Sequence, residues 1–133
     1  SGIQAALFLQ KYGLSYVILE REFLPGSFWT KFPRFRELIS INKWIRNKKH
    51  RLRFDWHSML EAPLDMMDVT KSYFPTGDDW QRYMSEVVQL ADLNIEFGKD
   101  VNRIIYSNEE EKPCVILSDG DKRCALRRIF VGT

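Results

Sequence analysis

At 133 residues the chain is long enough for one domain with a core of its own. A hydrophobic fraction of 44% beside 29% charged residues excludes a disordered chain, and 14% aromatics allow large side chains to be buried or to stack on a planar ligand. A net charge of +2 gives no general case for nucleic acid, and no apolar run approaches the roughly 20 residues of a transmembrane helix.

Ser1-Gly2 leads straight into an expected helix over residues 3–12. Ile3, Ala5, Ala6, Leu7, Phe8 and Leu9 make it apolar on nearly all sides, so it is expected to be buried. Gly13 suits the left-handed position that ends a helix. Tyr16-Val17-Ile18-Leu19 then reads as a short parallel strand covered on both faces, ending at Glu20. Pro25, Gly26 and Pro33 punctuate the irregular stretch that follows, with a short strand expected at Leu38-Ile39-Ser40-Ile41. Lys43, Arg46, Lys48, Lys49, Arg51 and Arg53, with His50 among them, form a basic stretch. It reads first as a solvated loop and second as a landing surface for phosphates or a partner.

Thr76 or Asp78 can cap a second long helix over residues 79–91. Trp80, Tyr83, Met84, Val87, Val88 and Ala91 recur at helical period and predict a stripe that faces the core. Strands are expected over 94–97, 101–106 and 114–118, the last turning at Asp119-Gly120 toward a strand over 125–131. A two-residue turn there pairs position 114 with 125. Cys114 and Cys124 are then offset and expected as free structural thiols, although a different turn register brings them closer. They form neither a C-x-x-C pair nor a zinc site, so no metal is expected and the redox compartment stays open.

Helix, strand and acid in this order are half of a dinucleotide-binding unit. In the whole unit a glycine-rich turn lets the backbone approach a pyrophosphate. The helix N-terminus offers it free N–H groups, and the acid accepts hydrogen bonds from the adenosine ribose. Gly2 fits the last glycine of G-x-G-x-x-G, and Glu20 follows at close to the roughly 20 positions that the pattern allows. The first strand and the first two glycines are expected upstream.

The segment REFLPGSFWTKFPRFRELISINKW, taken with this opening, resembles the flavin-containing monooxygenase-like superfamily. There the ribose acid is followed by G-G-x-W and later by an Asn near the flavin. Gly26 takes the first glycine, Trp29 the aromatic, and Ser27 departs from the second glycine. PGSFW followed by SINK is similar, more narrowly, to the FAD-dependent oxidoreductase domain-containing proteins of the endoplasmic reticulum, the flavoproteins associated with degradation there. Phe32-Pro33-Arg34, Asp55-Trp56, Tyr73-Phe74-Pro75, the Trp80 helix and Ile95-Glu96-Phe97 leading to Val101 keep that family's order. Phe130-Val131-Gly132-Thr133 resembles the start of the apolar-strand-to-A-T-G segment that passes the FAD.

The resemblance implies an α/β, three-layer, Rossmann-like FAD-binding domain with a β-hairpin or meander insertion. Residues 1–133 are then a partial FAD domain truncated at both ends, with the NADPH domain absent. It implies FAD contacts at Ser1, Gly2, Glu20, Arg21, Gly26, Ser27, Phe28, Trp29, Asn42, Val101 and Thr133, and assigns no catalytic residue. Several of these have a second reading: Gly26 as a turn that needs a positive φ, Phe28 and Trp29 as core aromatics, Asn42 as a loop brace.

The implied activity is that of an NADPH-dependent flavin oxidoreductase of monooxygenase type. The alternatives are a flavin disulfide reductase acting on thiols, against which the missing C-x-x-C argues, and a non-enzymatic partner-binding module that uses residues 43–53. The endoplasmic reticulum lumen and protein partners in degradation follow from the resemblance alone. No signal sequence is visible, which keeps the cytoplasm as the alternative. The strand at 16–20 is expected to run parallel to 129–131 in one sheet. Without its central strand the piece is expected to be marginal and aggregation-prone alone, with unpaired edges exposed.

Overall fold

The computed structural model describes residues 1–132; Thr133, one of the expected FAD contacts, lies outside the described residues. In chain order the elements are α1 (Gly2–Lys11), β1 (Ile18–Leu19), a 3-10 turn (Ser27–Thr30), α2 (Lys48–Phe54), α3 (Met66–Val69), α4 (Gly77–Leu90), β2 (Ile95–Glu96), β3 (Val101–Ser107), β4 (Lys112–Leu117) and β5 (Lys122–Cys124).

Helix α1 buries Ala6 and Leu7 but leaves Ala5 exposed and Ile3, Phe8 and Leu9 half-buried, short of the burial on nearly all sides expected, and it ends as its sequence requires. Gly13 takes φ +64°, and the Leu14 N–H turns back to the Leu9 carbonyl at 2.9 Å. The helix runs back along β1. Gln10 near its C-terminus touches the Tyr16 hydroxyl at 3.4 Å, while Gly2 at its N-terminus faces Ile18. β1 pairs in parallel with β2, Ile18 opposite Ile95 and Leu19 opposite Glu96.

The crossover between the two strands carries α4. Thr76 Oγ1 accepts from the Asp79 N–H at 3.0 Å, and Asp79 Oδ2 accepts from the Thr76 N–H at 2.9 Å, a capping box that fixes where the helix starts. The expected stripe is the core: Tyr83, Met84 and Val87 are buried against Ala6, Leu7, Met59, Met66 and Leu93, with Trp80, Val88 and Ala91 packed at its margin. Burial pushes the Tyr83 phenol up to about 12.

The 3-10 turn lies against α4 so closely that a Cβ on Gly26 would fall 2.0 Å from Met84 Cε. Arg36 ties the two together. Its Nη1 donates to the carbonyls of Trp29 (2.5 Å) and Phe32 (2.9 Å), Nη2 pairs with Asp78, and its own carbonyl accepts from the Gly77 N–H at 2.8 Å. These bonds offset the cost of a left-handed Arg36 backbone, φ +64°.

Three expectations are corrected. Residues 129–131 belong to no strand, and the parallel partner of β1 is β2. The N–H groups of Ile18 and Glu20 donate to the carbonyls of Asn94 and Glu96, so the ladder of β1 is made with β2 and not with residues 129–131. Residues 38–41 form no strand either; Glu37 makes a single antiparallel bridge to Thr76 while Leu38 is buried.

The third correction concerns the cysteines. Strands β3, β4 and β5 form an antiparallel sheet in that order, and the β4–β5 turn closes on the pair Leu117 and Asp121. That is a three-residue loop with Gly120 at φ +91°, not a two-residue one. The odd length shifts the register by one, sets Cys114 opposite Cys124, and allows the disulfide between them. The strand expected over 125–131 is accordingly displaced to Lys122–Cys124.

Gly26 and Gly13 share a left-handed backbone, but nothing lies within 4 Å of a Cβ on Gly13. Gly13→Ala should therefore lose about 1 kcal/mol for the backbone alone. Gly26→Ala should lose about 1–3 kcal/mol more, because Met84 must move. Urea unfolding of both variants checks this, and equal losses would remove the Met84 contact as the cause.

Candidate functional site

Ser1 stands at the N-cap of α1, yet its side chain caps nothing. The first intrahelical bond runs from the Ala5 N–H to the Ser1 carbonyl at 3.1 Å, which leaves the N–H groups of Gly2, Ile3 and Gln4 ahead of it. The other helix starts differ: Asn47 accepts from the His50 N–H at 3.2 Å before α2, and α4 has its capping box. The end of the described chain comes to this same place. A Cβ on Gly132 would lie 2.6 Å from Ser1 Oγ and 3.4 Å from the Gly2 nitrogen. Gly2 is less confined, since its Cβ would meet Ile18 Cγ2 at 3.8 Å, an ordinary contact that alanine could also make. Free N–H groups and the positive end of the helix together make a seat for an anion.

Glu20 lies at the same edge, just beyond the C-terminal end of β1. Its N–H donates to the Glu96 carbonyl and its carbonyl accepts from the Lys99 N–H, both at 2.9 Å. Glu20 Oε1 accepts from the Glu22 N–H at 3.0 Å, while Oε2 has no partner among the described residues. Lys99 leads within two residues to Val101, which opens β3. Ser1, Gly2, Glu20 and the approach to Val101 thus gather at the C-terminal edge of the β1–β2 pair, where open α/β sheets bind their ligands. Arg21 is exposed and lies 3.4 Å from Glu22. From the second sheet, Arg123 Nη1 reaches Glu96 Oε2 at 2.6 Å, and Arg123 Nε reaches Asp121 at 2.9 Å. That hydrogen bond from Arg123 holds the Asp121 carboxyl below the usual carboxylate range.

The other expected contacts lie in the 3-10 turn and the irregular chain after it. Gly26 and Trp29 turn toward α4, with Trp29 edge-on to Trp80 at 6.0 Å. Ser27 opens the 3-10 turn, its carbonyl accepting from Thr30 Oγ1 at 2.7 Å. Phe28 is exposed and stacks on Phe32 at 4.8 Å.

Asn42 is wholly buried, and the structure gives it a bracing role. Its Nδ2 donates to the carbonyls of Thr70 (3.1 Å) and Ser72 (2.7 Å), so its Oδ1, 3.0 Å from His57 Nε2, must accept. His57 Nε2 therefore carries the proton, and Nδ1, 2.8 Å from Ser40 Oγ, accepts from the hydroxyl. Burial holds the His57 imidazolium below its ordinary range, against the pull of Asp55. Sequence reasoning missed His57 and Arg36. No spacing marks either: His57 meets partners 15 and 17 residues away, and Arg36 joins Trp29 and Phe32 to Asp78, 42 residues on.

Glu110 brings a carboxylate oxygen within 4.8 Å of both cysteine sulfurs, but sulfurs joined in a disulfide are not thiolate ligands. Among the described residues no helix is long and apolar enough to cross a membrane.

The pyridine nucleotide-disulphide oxidoreductase family matches residues 1–125 of this sequence. The chain belongs to that family. It is 37% identical over 124 residues to a Danio rerio protein described as FAD-dependent oxidoreductase domain-containing protein 2, covering 90% of this chain and 18% of that protein. The chain thus spans under a fifth of that relative's length. Among solved structures it is similar to a flavin-containing monooxygenase from Stenotrophomonas maltophilia, with a TM-score of 0.73 at 25% identity over 93% of this chain and 32% of that one. A bacillithiol disulfide reductase from Bacillus cereus shares the fold, with a TM-score of 0.66 at 18% identity over 92% of this chain and 33% of that one. The architecture is the Rossmann-like α/β fold of these flavoproteins, as the helix–strand–acid order implied.

His57 gives this interior a pH dependence with a definite sign. Its folded-state proton affinity lies below the unfolded value of about 6.5, so the unfolded chain takes up the proton first. The stability tied to this imidazole is complete above about pH 6.5. It falls as the pH drops toward the folded-state value, by about 1.4 kcal/mol for each pH unit in that window. Urea unfolding at pH 7.5 and 5.5 should show a larger acid loss in wild type than in His57→Gln. Equal losses would mean that His57 is not the titrating group.

Proposed function

We propose that this chain is the FAD-binding part of an NADPH-dependent flavin oxidoreductase of monooxygenase type. The observation that carries the reading is the C-terminal edge of the β1–β2 pair. There the uncapped N-terminus of α1, the close backbone at Gly132 and the half-satisfied carboxylate of Glu20 stand together. These residues fit a dinucleotide: N–H groups for its pyrophosphate, a carboxylate for its ribose, and a glycine where a side chain would intrude.

When bound, the flavin supplies the redox chemistry. The N–H groups of Gly2, Ile3 and Gln4 hold the pyrophosphate oxygens, and the α1 dipole favours their charge. Glu20 Oε2 accepts from the ribose hydroxyls while the Glu22 N–H fixes Oε1. Gly26 and Trp29 hold the 3-10 turn against α4. The name of the Danio rerio relative supports FAD, and the family's pyridine nucleotide supports NADPH as the reductant, bound outside these residues. The reading as a disulfide reductase gains no redox-motif cysteine pair from this sequence, since Cys114 and Cys124 are ten residues apart across a hairpin. A cross-strand disulfide suits an oxidising compartment, which supports the endoplasmic reticulum lumen. Degradation partners there remain part of the proposal and rest on the resemblance.

The test is Glu20. A charge-assisted hydrogen bond contributes about 1.5–3 kcal/mol, so Glu20→Ala in the full-length protein should weaken FAD about tenfold to a hundredfold. Glu20→Gln keeps the shape and should lose less. Flavin content and FAD titration measure both, and wild-type affinity in Glu20→Ala would remove the residue from the site.

A further inference from the structure

Cys114 and Cys124 differ in their access to solvent. Cys114 is wholly buried in β4, the central strand of its sheet, whereas Cys124 is half-buried in the edge strand β5. The edge strand is held to β4 by only three register pairs, Cys114–Cys124, Val115–Arg123 and Ile116–Lys122. The disulfide is the covalent one among them. Arg123, next to Cys124, makes the 2.6 Å ion pair to Glu96 on β2, and the Glu96 carbonyl holds the Glu20 N–H. A Glu110 carboxylate near both sulfurs is neutralised by Lys122 at 3.0 Å, so a thiolate forming there does not face an unpaired anion.

We propose that the Cys114–Cys124 disulfide is a thiol-exchange site, attacked at Cys124 by a dithiol, and that its reduction frees β5 and loosens Arg123 from Glu96. One thiolate of the dithiol attacks Cys124 Sγ, the more accessible sulfur. The bond between the cysteines breaks, and Cys114 leaves as a thiolate and takes up a proton. The second thiol of the reductant loses its proton and closes on the mixed disulfide, releasing Cys124, which is protonated in turn. Two electrons pass from the dithiol to the protein, and the reductant leaves as its own disulfide. With the staple open, β5 keeps its short ladder, the Lys122 contacts to Glu110 and Ser107 and the Arg123 ion pair, all of them non-covalent, so the strand frays and Glu96 loses its cross-sheet partner. The effect on FAD rests on the proposed function; the exchange and the release of β5 do not.

The experiment uses the full-length protein in buffers of reduced and oxidised dithiothreitol, with iodoacetamide trapping and amide hydrogen exchange read by mass spectrometry. Both cysteines should become alkylated while α4 amides keep their protection, and exchange over residues 95–99 should rise several-fold. Arg123→Ala should reproduce that rise in the oxidised protein, as should the double variant Cys114→Ser with Cys124→Ser. Alkylation that appears only when α4 also loses protection overturns the proposal, as does unchanged exchange over 95–99 after reduction. FAD titration of the same samples separates the two readings. Faster exchange with a several-fold weaker FAD supports both. Faster exchange in a protein that binds no FAD in either redox state supports the exchange site and overturns the flavin reading.

Discussion

The buried stripe of α4 is the constraint on which the rest of the molecule is built. Tyr83, Met84 and Val87 must leave water together, and they do so between α1 on one side and the segment from Gly26 to Met66 on the other. Each fully buried side chain of this kind contributes about 1.5–3 kcal/mol, so a few of them outweigh any one surface contact here. Because α4 lies in the connection between β1 and β2, burying it also draws those strands into parallel register. The open edge is a consequence. Once α1 and α4 cover the pair, Glu20 and the start of α1 are left at one open end.

Arginines do the work that apolar packing cannot do in the irregular stretches. Arg36 stitches the 3-10 turn to the start of α4, and a Cβ on Gly77 would lie 2.7 Å from its guanidinium. Arg51 and Asp65 form the most shielded ion pair among the described residues, at 2.5 Å, and fix α2 to the start of α3. Arg123 joins the two sheets. A half-exposed pair of this kind contributes little to stability, so its effect lies in the position of β2 relative to β5 rather than in the energy of the fold. The basic stretch divides in the same way. Lys43 and Arg51 turn inward to Asp55 and Asp65, while Arg46, Lys48, Lys49 and Arg53 face solvent.

Elements set by local chemistry were legible before the structure. The α4 stripe follows from helical period, its cap at Thr76 was one of the two expected, and the end of α1 follows from a glycine that alone adopts the left-handed backbone cheaply. The β4–β5 register was not legible, because turns of two and three residues both accommodate Asp119-Gly120. One residue of difference turns offset cysteines into partners. The expected pairing of residues 16–20 with 129–131 failed for a different reason. Hydrogen bonding between strands depends on what lies between them, and neither segment encodes its neighbour.

The sequence by itself determined the helix–strand–acid order, the core-facing stripe and the resemblance to flavoproteins. All of these are carried by short spacings that the chain cannot rearrange. Tertiary structure alone decided which candidate residues meet. It brought Ser1, Gly2, Glu20 and Gly132 to one edge, and it turned Asn42 inward to a histidine fifteen residues away. It also set Gly26, in its left-handed conformation, directly against the Met84 side chain. The physical reason is common to all three: a buried polar atom or an absent Cβ is satisfied by whatever the fold brings beside it, and that neighbour is set by the burial of α4 rather than by any pattern along the chain.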